Sequence, residues 1–322
     1  MNDNRRKCEL ARTCWYLTGA TASGKSETSL EMARQLNAEI ISLDSMAIYR
    51  GMDIGTAKPP QEARDSIPHH LIDICDPTEQ FSVSQYREAA LAKITEIQQR
   101  DREVLFVGGT ALYLKALLRG MFDGPPADWD FRREVEQEIS EMGAEFLHQR
   151  LEMIDPVSAS NLHPNDHRRI IRALEVYRAT GKPISHWQMQ FDHGLSADQC
   201  RVFTLRHERG KLHERIESRV DEMFEQGLVA EVQGLLERWN ELGHTAAQAV
   251  GYREVIAHLN GEMDLEQTRE KVRVRTRRFA RHQETWFRGL SECRMVDLDD
   301  PFDPREIASQ LISMGQAVQI NR

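Results

Sequence analysis

No run of about 18 apolar residues occurs in the 322-residue chain, which excludes a membrane-spanning helix. The opening residues, MNDNRRKCELARTCWYL, lack the apolar core and small-residue cleavage site of a secretory signal, so a cytoplasmic protein is expected. Cysteine is scarce: Cys8, Cys14, Cys75, Cys200 and Cys293 are odd in number, widely spaced and contain no C-x-x-C pair. Neither a disulfide framework nor a zinc site is indicated, and isolated thiols in a reducing compartment are expected. An overall basic excess is also missing. The net charge of −9 argues against a non-specific nucleic-acid binder. Yet between Glu266 and Arg288 eight Lys and Arg stand against three Glu, so the acidic average hides a strongly basic segment.

What is present points to a phosphate. YLTGATASGKS, residues 16–26, fits G-x-x-x-x-G-K-[ST] through Gly19, Gly24, Lys25 and Ser26. In that pattern consecutive backbone N–H groups close around a phosphate, the lysine neutralises it and the hydroxyl reaches a metal ion. CWYLTGA before the loop is a short apolar run, and SETSLEMARQL after it has helical periodicity, which is the strand, loop, helix order that such a cradle needs. AEIISLDS reads as a second strand ending at Asp44 and Ser45. Val104 to Val107 reads as a third, followed by a Gly-Gly-Thr turn and a helix. Between them SVSQYREAALAKITEIQQRD is an amphipathic helix with a serine at its start. Strands alternating with helices imply an α/β fold with a parallel sheet of the P-loop NTPase type, in which ligands collect beyond the carboxyl ends of the strands. From about Asp123 the composition shifts to Pro, Asp and Trp, and the next seventy or so residues read as helices. The expected division is a core of 14–121 with 200–322 and an inserted all-helical subdomain at 122–199. CRVFTLRH at 200–207 is a return to the sheet, everything later reads as helical, and GHTAAQAVGYREV reads as a turn and loop between helices.

An ATPase of this class places an Asp at the end of a later strand to help hold Mg²⁺. Here the strand EVLFV ends in Gly108, Gly109 and Thr110. Asp44 closes the second strand instead, where a helix N-cap or turn role would equally account for it. Arg168 and Arg172 are four apart and share one helix face, suited to engaging phosphates together or to a solvated helix with local ion pairs. Trp286 and Phe287 suit stacking on a base, but their spacing from Phe279 and Gln283 suits core packing as well. His69 and His70, without metal-ligand spacing to any Cys or Glu, are read as structural.

The segments GATASGKS, SLDSMAIYRGMDIGTAKP, HHLIDICDP, VGGTALYLKALLRG, HPNDHRRIIRALEVYRATGKPIS, LHERIESRVDEMFEQGLVAEV, QAVGYREV and RRFARHQETWFR resemble, in order and spacing, the tRNA dimethylallyltransferases, also called tRNA isopentenyltransferases. The resemblance runs from about Tyr16 to Arg288. It implies that the loop Gly19, Ala20, Thr21, Ala22, Ser23, Gly24, Lys25, Ser26 holds the diphosphate of dimethylallyl diphosphate and not ATP, with Ser26 sharing Mg²⁺ with it. The five-carbon group is then transferred to the exocyclic amine of the adenosine just 3′ of the tRNA anticodon. It further implies Asp44 as general base, Arg219 as a neutraliser of the departing diphosphate, and Thr110 at the reacting adenosine. The implied tRNA contacts are Asp44, Ser45, Met46, Ala47, Thr110, Arg132, Arg168, Arg169, Arg172, Gln248, Gly251, Tyr252, Arg253, Arg281, Gln283 and Arg288. The target base is expected to be extruded into a channel shared with the diphosphate site, with the insertion clamping the anticodon stem-loop. A monomer is expected.

Two departures from the family pattern stand out. Ala20 replaces the usual second-position Pro and Ser26 the frequent Thr, and both keep the backbone cradle and the hydroxyl. No zinc-finger extension is visible, which favours the bacterial type. Residues 183–200 match no motif. The rivals are an isopentenyltransferase acting on free adenine nucleotides, a P-loop small-molecule kinase and a non-catalytic tRNA-binding protein; length and the basic C-terminal helices favour a macromolecular acceptor.

Overall fold

The computed structural model describes residues 3–122, 124–188, 194–299 and 301–318. Asp123 and residues 189–193, at which the expected insertion begins and its unmatched stretch continues, lie outside them. Helix α1 (Asp3–Arg12) leads into β1 (Trp15–Gly19), whose five residues are all buried, as a strand covered on both faces must be. The phosphate-loop turn is followed by α2 (Lys25–Leu36), β2 (Ala38–Ser42), α3 (Gln61–Ser66) and the two-residue β3 (His69–His70). Next come α4 (Val83–Gln98), β4 (Glu103–Gly108) and α5 (Ala111–Arg119). A helical stretch contains α6 (Trp129–Met142), α7 (Ala144–Ile154), α8 (Pro156–Asn161), α9 (His167–Thr180) and α10 (Ile184–Gln188). β5 (Val202–Arg206) returns to the sheet and is followed by α11 (Arg209–Glu225), α12 (Leu228–Trp239), α13 (His244–Ala247), α14 (Tyr252–Leu259), α15 (Leu265–Arg288), β6 (Arg294–Asp297) and α16 (Pro304–Gln316).

All six strands are parallel, in the order β3-β2-β4-β1-β5-β6. The phosphate-loop strand is therefore internal, flanked by β4 and β5. On one face Tyr16, Ile41, Phe106, Tyr86, Ile94, Leu114 and their neighbours form a core; on the other Trp15, Leu17, Met32, Leu105, Phe203 and Leu311 form a second. The alternation of Trp15, Tyr16 and Leu17 between these clusters is the period-two geometry of a strand. Helix α4 begins where Ser82 predicts. Its hydroxyl accepts from the Gln85 amide at 3.2 Å, and the Gln85 side chain accepts from the Ser82 amide at 2.8 Å, which satisfies two donors at the helix start. Residues Met1–Leu118 with Gly194–Arg322 form one compact unit and Arg119–His193 another, the latter around Phe131, Leu147, Leu151, Ile170 and Leu174.

Two readings of the chain need correction. The stretch after 207 is not all helical, because Arg294–Asp297 pairs with β5 as an edge strand. Four residues with charged ends carry too little apolar alternation to signal a strand. The segment 243–255 contains the short helix α13 and the start of α14 and is more ordered than a turn and loop. The β3 pairing had no sequence signal; there His70 contacts Glu39 at 2.6 Å, and Glu39, almost fully buried, also receives two bonds from Arg100. Both histidines are structural, and all five thiols are free and buried.

The β2–β4 ladder continues past the strand ends. Leu43 N–H donates to Val107 O at 2.7 Å and Thr110 N–H donates to Leu43 O at 3.0 Å. Gly108 makes this approach possible, since a Cβ there would stand 2.2 Å from the Leu43 carbonyl oxygen. Gly108→Ala is expected to lower the unfolding free energy by about 1–3 kcal/mol, the range for overpacking a tight contact, read as an earlier urea midpoint at unchanged slope. An unchanged midpoint would show that the two chains part there without cost.

Candidate active site

The loop between β1 and α2 is built to receive an anion. Gly24, at the N-cap of α2, has φ of 85°, Ala22 has φ of 62°, and no side chain caps the helix. Left-handed residues alternating with right-handed ones turn successive N–H groups to one side, and an uncapped first turn adds its own donors and the positive end of the helix dipole. Gly19 is required by space as well as by φ, because a Cβ would lie 2.6 Å from Leu205 O. Lys25 folds over the loop, with Nζ 3.0 Å from Gly19 O and hydrogen-bonded to Ala20 O. Burial depresses its pKa to about 7, the nearby Arg219 guanidinium pushes the same way, and Asp44 opposes them. Arg219, from α11, is likewise held below its ordinary value, by burial above all, while Asp44 and Glu222 pull it back. Its Nε is buried without a hydrogen-bond partner. Two cations with weakened hold on their protons, beside uncapped amides, make a site whose missing partner is negative.

Asp44 and Thr110 meet on the other side of the loop, as the extended ladder dictates. Asp44 Oδ1 accepts from Met46 N–H at 2.8 Å and Ala47 N–H at 3.3 Å, which is the turn role that the sequence allows for it. Thr110 Oγ1 accepts from Ser45 N–H at 3.0 Å. Behind them Tyr86 donates to Ser42 O at 2.8 Å and stacks on Tyr113 with ring centroids 3.7 Å apart. Burial raises the pKa of both phenols, which therefore stay neutral donors. The chain beyond Asp44 is anchored by Glu231, which accepts from the amides of Asp53, Ile54 and Gly55 and from Tyr252 Oη. Lys58, almost wholly buried, bonds Asp53, Asp73 and Tyr49 O.

The remaining sequence-selected residues divide into exposed and internally engaged groups. Arg281 and Arg288 are exposed on α15. Gln283, on the same helix, is buried and bonds Thr21 N–H and Gly109 O. Tyr252 is fully buried, Gly251 opens α14 with φ of 93°, and Arg253 donates to the Gln248 side chain at 3.2 Å. Within the helical unit Arg168 and Arg169 are exposed on α9. Arg132 and Arg172 converge on Glu175, a buried carboxylate that Asp128 N–H also bonds. Burial raises the pKa of Glu175, and the two guanidinium groups outweigh it and hold the carboxyl below its usual range. Phe287 is core, whereas Trp286 is about two-fifths exposed.

Sequence reasoning missed Arg215 and Phe302. Arg215 precedes Arg219 by one helical turn and donates to Ala22 O at 2.9 Å, a placement the i, i+4 spacing could have revealed. Phe302 covers Gly24, where a Cβ would stand 2.3 Å from its ring, and no motif marks it. Ser26, exposed at the start of α2, offers its hydroxyl to a cation. Among the described residues no group of three or more His, Cys, Asp or Glu is placed to hold a metal, so a cation here would take Ser26, substrate oxygens and water. That donor set fits a hard divalent ion.

These features define a phosphate-loop protein with the Asp44 carboxylate within electrostatic reach of Lys25 and Arg219. The IPP transferase family model matches residues 47–290. The chain is 51% identical over 286 residues to the tRNA dimethylallyltransferase of Rhodopirellula baltica, covering 86% of each. It is similar to the solved tRNA isopentenylpyrophosphate transferase of Bacillus halodurans, with TM-score 0.67 and 39% identity over 95% of this chain and 97% of that one. It is also similar to a eukaryotic dimethylallyltransferase acting on tRNA, with TM-score 0.70 and 28% identity over 89% and 74% respectively. The chain belongs to the tRNA dimethylallyltransferase family of prenyltransferases.

The depressed Lys25 has a titration signature. At pH 8.5, above a pKa of about 7, the free lysine is mostly neutral. A bound diphosphate favours the ammonium, so binding dimethylallyl diphosphate should take up close to one proton at pH 8.5, and affinity should weaken as pH rises through this range. Calorimetry in two buffers of different ionisation enthalpy measures the uptake. Lys25→Met should abolish it, and buffer-independent heats for the unaltered protein would contradict a neutral resting lysine.

Proposed function

We propose that this family's reaction, transfer of a dimethylallyl group to tRNA, runs in this chain with the donor diphosphate in the 19–26 loop and Asp44 as proton acceptor. The acceptor atom is the exocyclic N6 amine of the adenosine immediately 3′ of the anticodon. Its lone pair is delocalised into the ring, so the amine needs help in losing its proton and a strongly electrophilic partner. The new N–C bond forms at the allylic carbon while the C–O bond breaks. The bonding pair leaves with the diphosphate oxygen, and the amine proton passes to Asp44. Lys25, Arg219 and the loop amides meet the charge that grows on the leaving group. Asp44 Oδ1 is engaged by two backbone amides, which leaves Oδ2 for the substrate. The observation that carries this reading is the mutual electrostatic reach of Asp44, Lys25 and Arg219 around one phosphate loop.

Mg²⁺, bound through Ser26 and diphosphate oxygens, would supply additional neutralisation of the leaving group. Five buried carbons contribute roughly 4 kcal/mol at about 0.8 kcal/mol each, so donor affinity comes mostly from the diphosphate cage. The exposed Arg168, Arg169, Arg281 and Arg288 supply contacts to the phosphates of the anticodon stem-loop. Gln248, Gly251 and Arg253 bear on it from the segment leading into α14 and its first turn, and Ser45, Met46, Ala47 and Thr110 from beside the reacting base. Arg132 and Arg172 reach it if tRNA draws them off Glu175. The enzyme works as a cytoplasmic monomer.

Isotopically labelled dimethylallyl diphosphate, Mg²⁺ and either unmodified tRNA or AMP test the reading. The label is expected on the adenosine N6 of tRNA and not on AMP; label on AMP would move the chain to a free-nucleotide enzyme. Asp44→Asn should cut the transfer rate about 10²–10⁴-fold, the usual worth of general base catalysis, with tRNA affinity retained. Full activity in that variant would remove Asp44 from the proton transfer.

A further inference from the structure

We infer that Gln283 is a positioning residue that sets the spacing between the phosphate loop and the Thr110 turn, and that it does not contact tRNA. The inference rests on the reaction assigned above. Gln283 lies on the inner side of α15, in line with the buried Thr276, Ala280 and Phe287, while Arg278, Arg281 and Arg288 are exposed. A primary amide at a core position of a helix is costly unless both of its ends are bonded. Here both are. Oε1 accepts from Thr21 N–H, in the middle of the phosphate loop, at 2.9 Å, and Nε2 donates to Gly109 O at 3.0 Å. Those partners belong to the two halves of the reaction, since the first loop carries the anion cradle and the second carries Thr110, which fixes Ser45 beside Asp44.

The fit around the amide is specific. A Cβ at Gly109 would stand 2.1 Å from Gln283 Nε2 and 3.2 Å from its Cδ, but 3.4 Å from Gly19 O, an ordinary contact distance. Gly109 is thus a glycine because the amide occupies its side-chain space. One planar group spans two loops that hold different substrates. A displacement of about 1 Å between nucleophile and electrophile costs on the order of 10²-fold in rate, so removing this spacer should act on turnover and leave binding intact.

The test is steady-state and single-turnover transfer with Gln283→Met, which keeps the volume and loses both bonds, and Gln283→Glu, which keeps only the bond from Thr21. Turnover is expected to fall about 10–100-fold in the Met variant, with the Kd for tRNA and for dimethylallyl diphosphate within twofold of the unaltered protein. The Glu variant tests whether the Thr21 bond alone sets the distance and should also be slow. A raised Kd for tRNA with normal single-turnover rate would make Gln283 a tRNA contact and overturn the inference. A cycle with Gly109→Ala gives a second reading that loss of folded protein does not imitate. Gly109→Ala alone should be slow because it displaces the amide, and Gly109→Ala with Gln283→Ala should be no slower than the slower single variant. Rate losses that multiply in the double variant would also overturn the inference. Activity of the unaltered enzyme on tRNA separates either failure from failure of the assigned reaction.

Discussion

Holding Lys25 and Arg219 together, away from water and close to one loop, is the constraint on which this site depends. Lys25 rests on loop carbonyls, and Arg219 Nε is buried without a hydrogen-bond partner among the described residues. Such crowding is unfavourable in the free protein and is relieved by a polyanion. Asp44 tempers the repulsion without cancelling it, raising the pKa of both groups while burial still holds them low.

The sheet makes this arrangement possible. β1 sits between β4 and β5, so the phosphate loop emerges beside the ends of β2 and β4, where Asp44 and Thr110 stand. The ladder bonds through Leu43 continue past the regular strands and fix those residues with backbone geometry. Helices α11 and α15 then close the loop from the side, joined to it through Ile216, Val272 and Ala280 packed on Ala20 and Ala22. Arg215, Arg219 and Gln283 arrive on these two helices, so the polar groups at the site are placed by apolar packing.

Much of this was legible in the chain. The phosphate loop, the acid after the second strand, the Gly-Gly-Thr turn and the helical insertion each carry a local signature: glycine spacing, a breaker, or a change in composition. What was hidden depends on distance in sequence. Nothing near residue 283 says that its amide meets Thr21 and Gly109, some 260 and 170 residues away, even though its spacing suits core packing. Tyr252 reads as part of an exposed loop and is buried because Glu231, on another helix, receives its hydroxyl. Local ion pairs are one reading of the Arg168 and Arg172 face, but that Arg132 and Arg172 share the buried Glu175 is visible only in the structure. β6 escaped because four residues at a sheet edge carry little pattern.

The Glu231 carboxylate, with three consecutive amides and one phenol converging on it, has a dynamic consequence. Those amides can exchange with solvent only if the carboxylate withdraws, so the turn 53–55 opens with helix α12 as one unit and not residue by residue. The stretch downstream of Asp44 thereby behaves as rigid framework despite having little regular secondary structure. Movement needed to admit a large polynucleotide has to be found elsewhere in the chain.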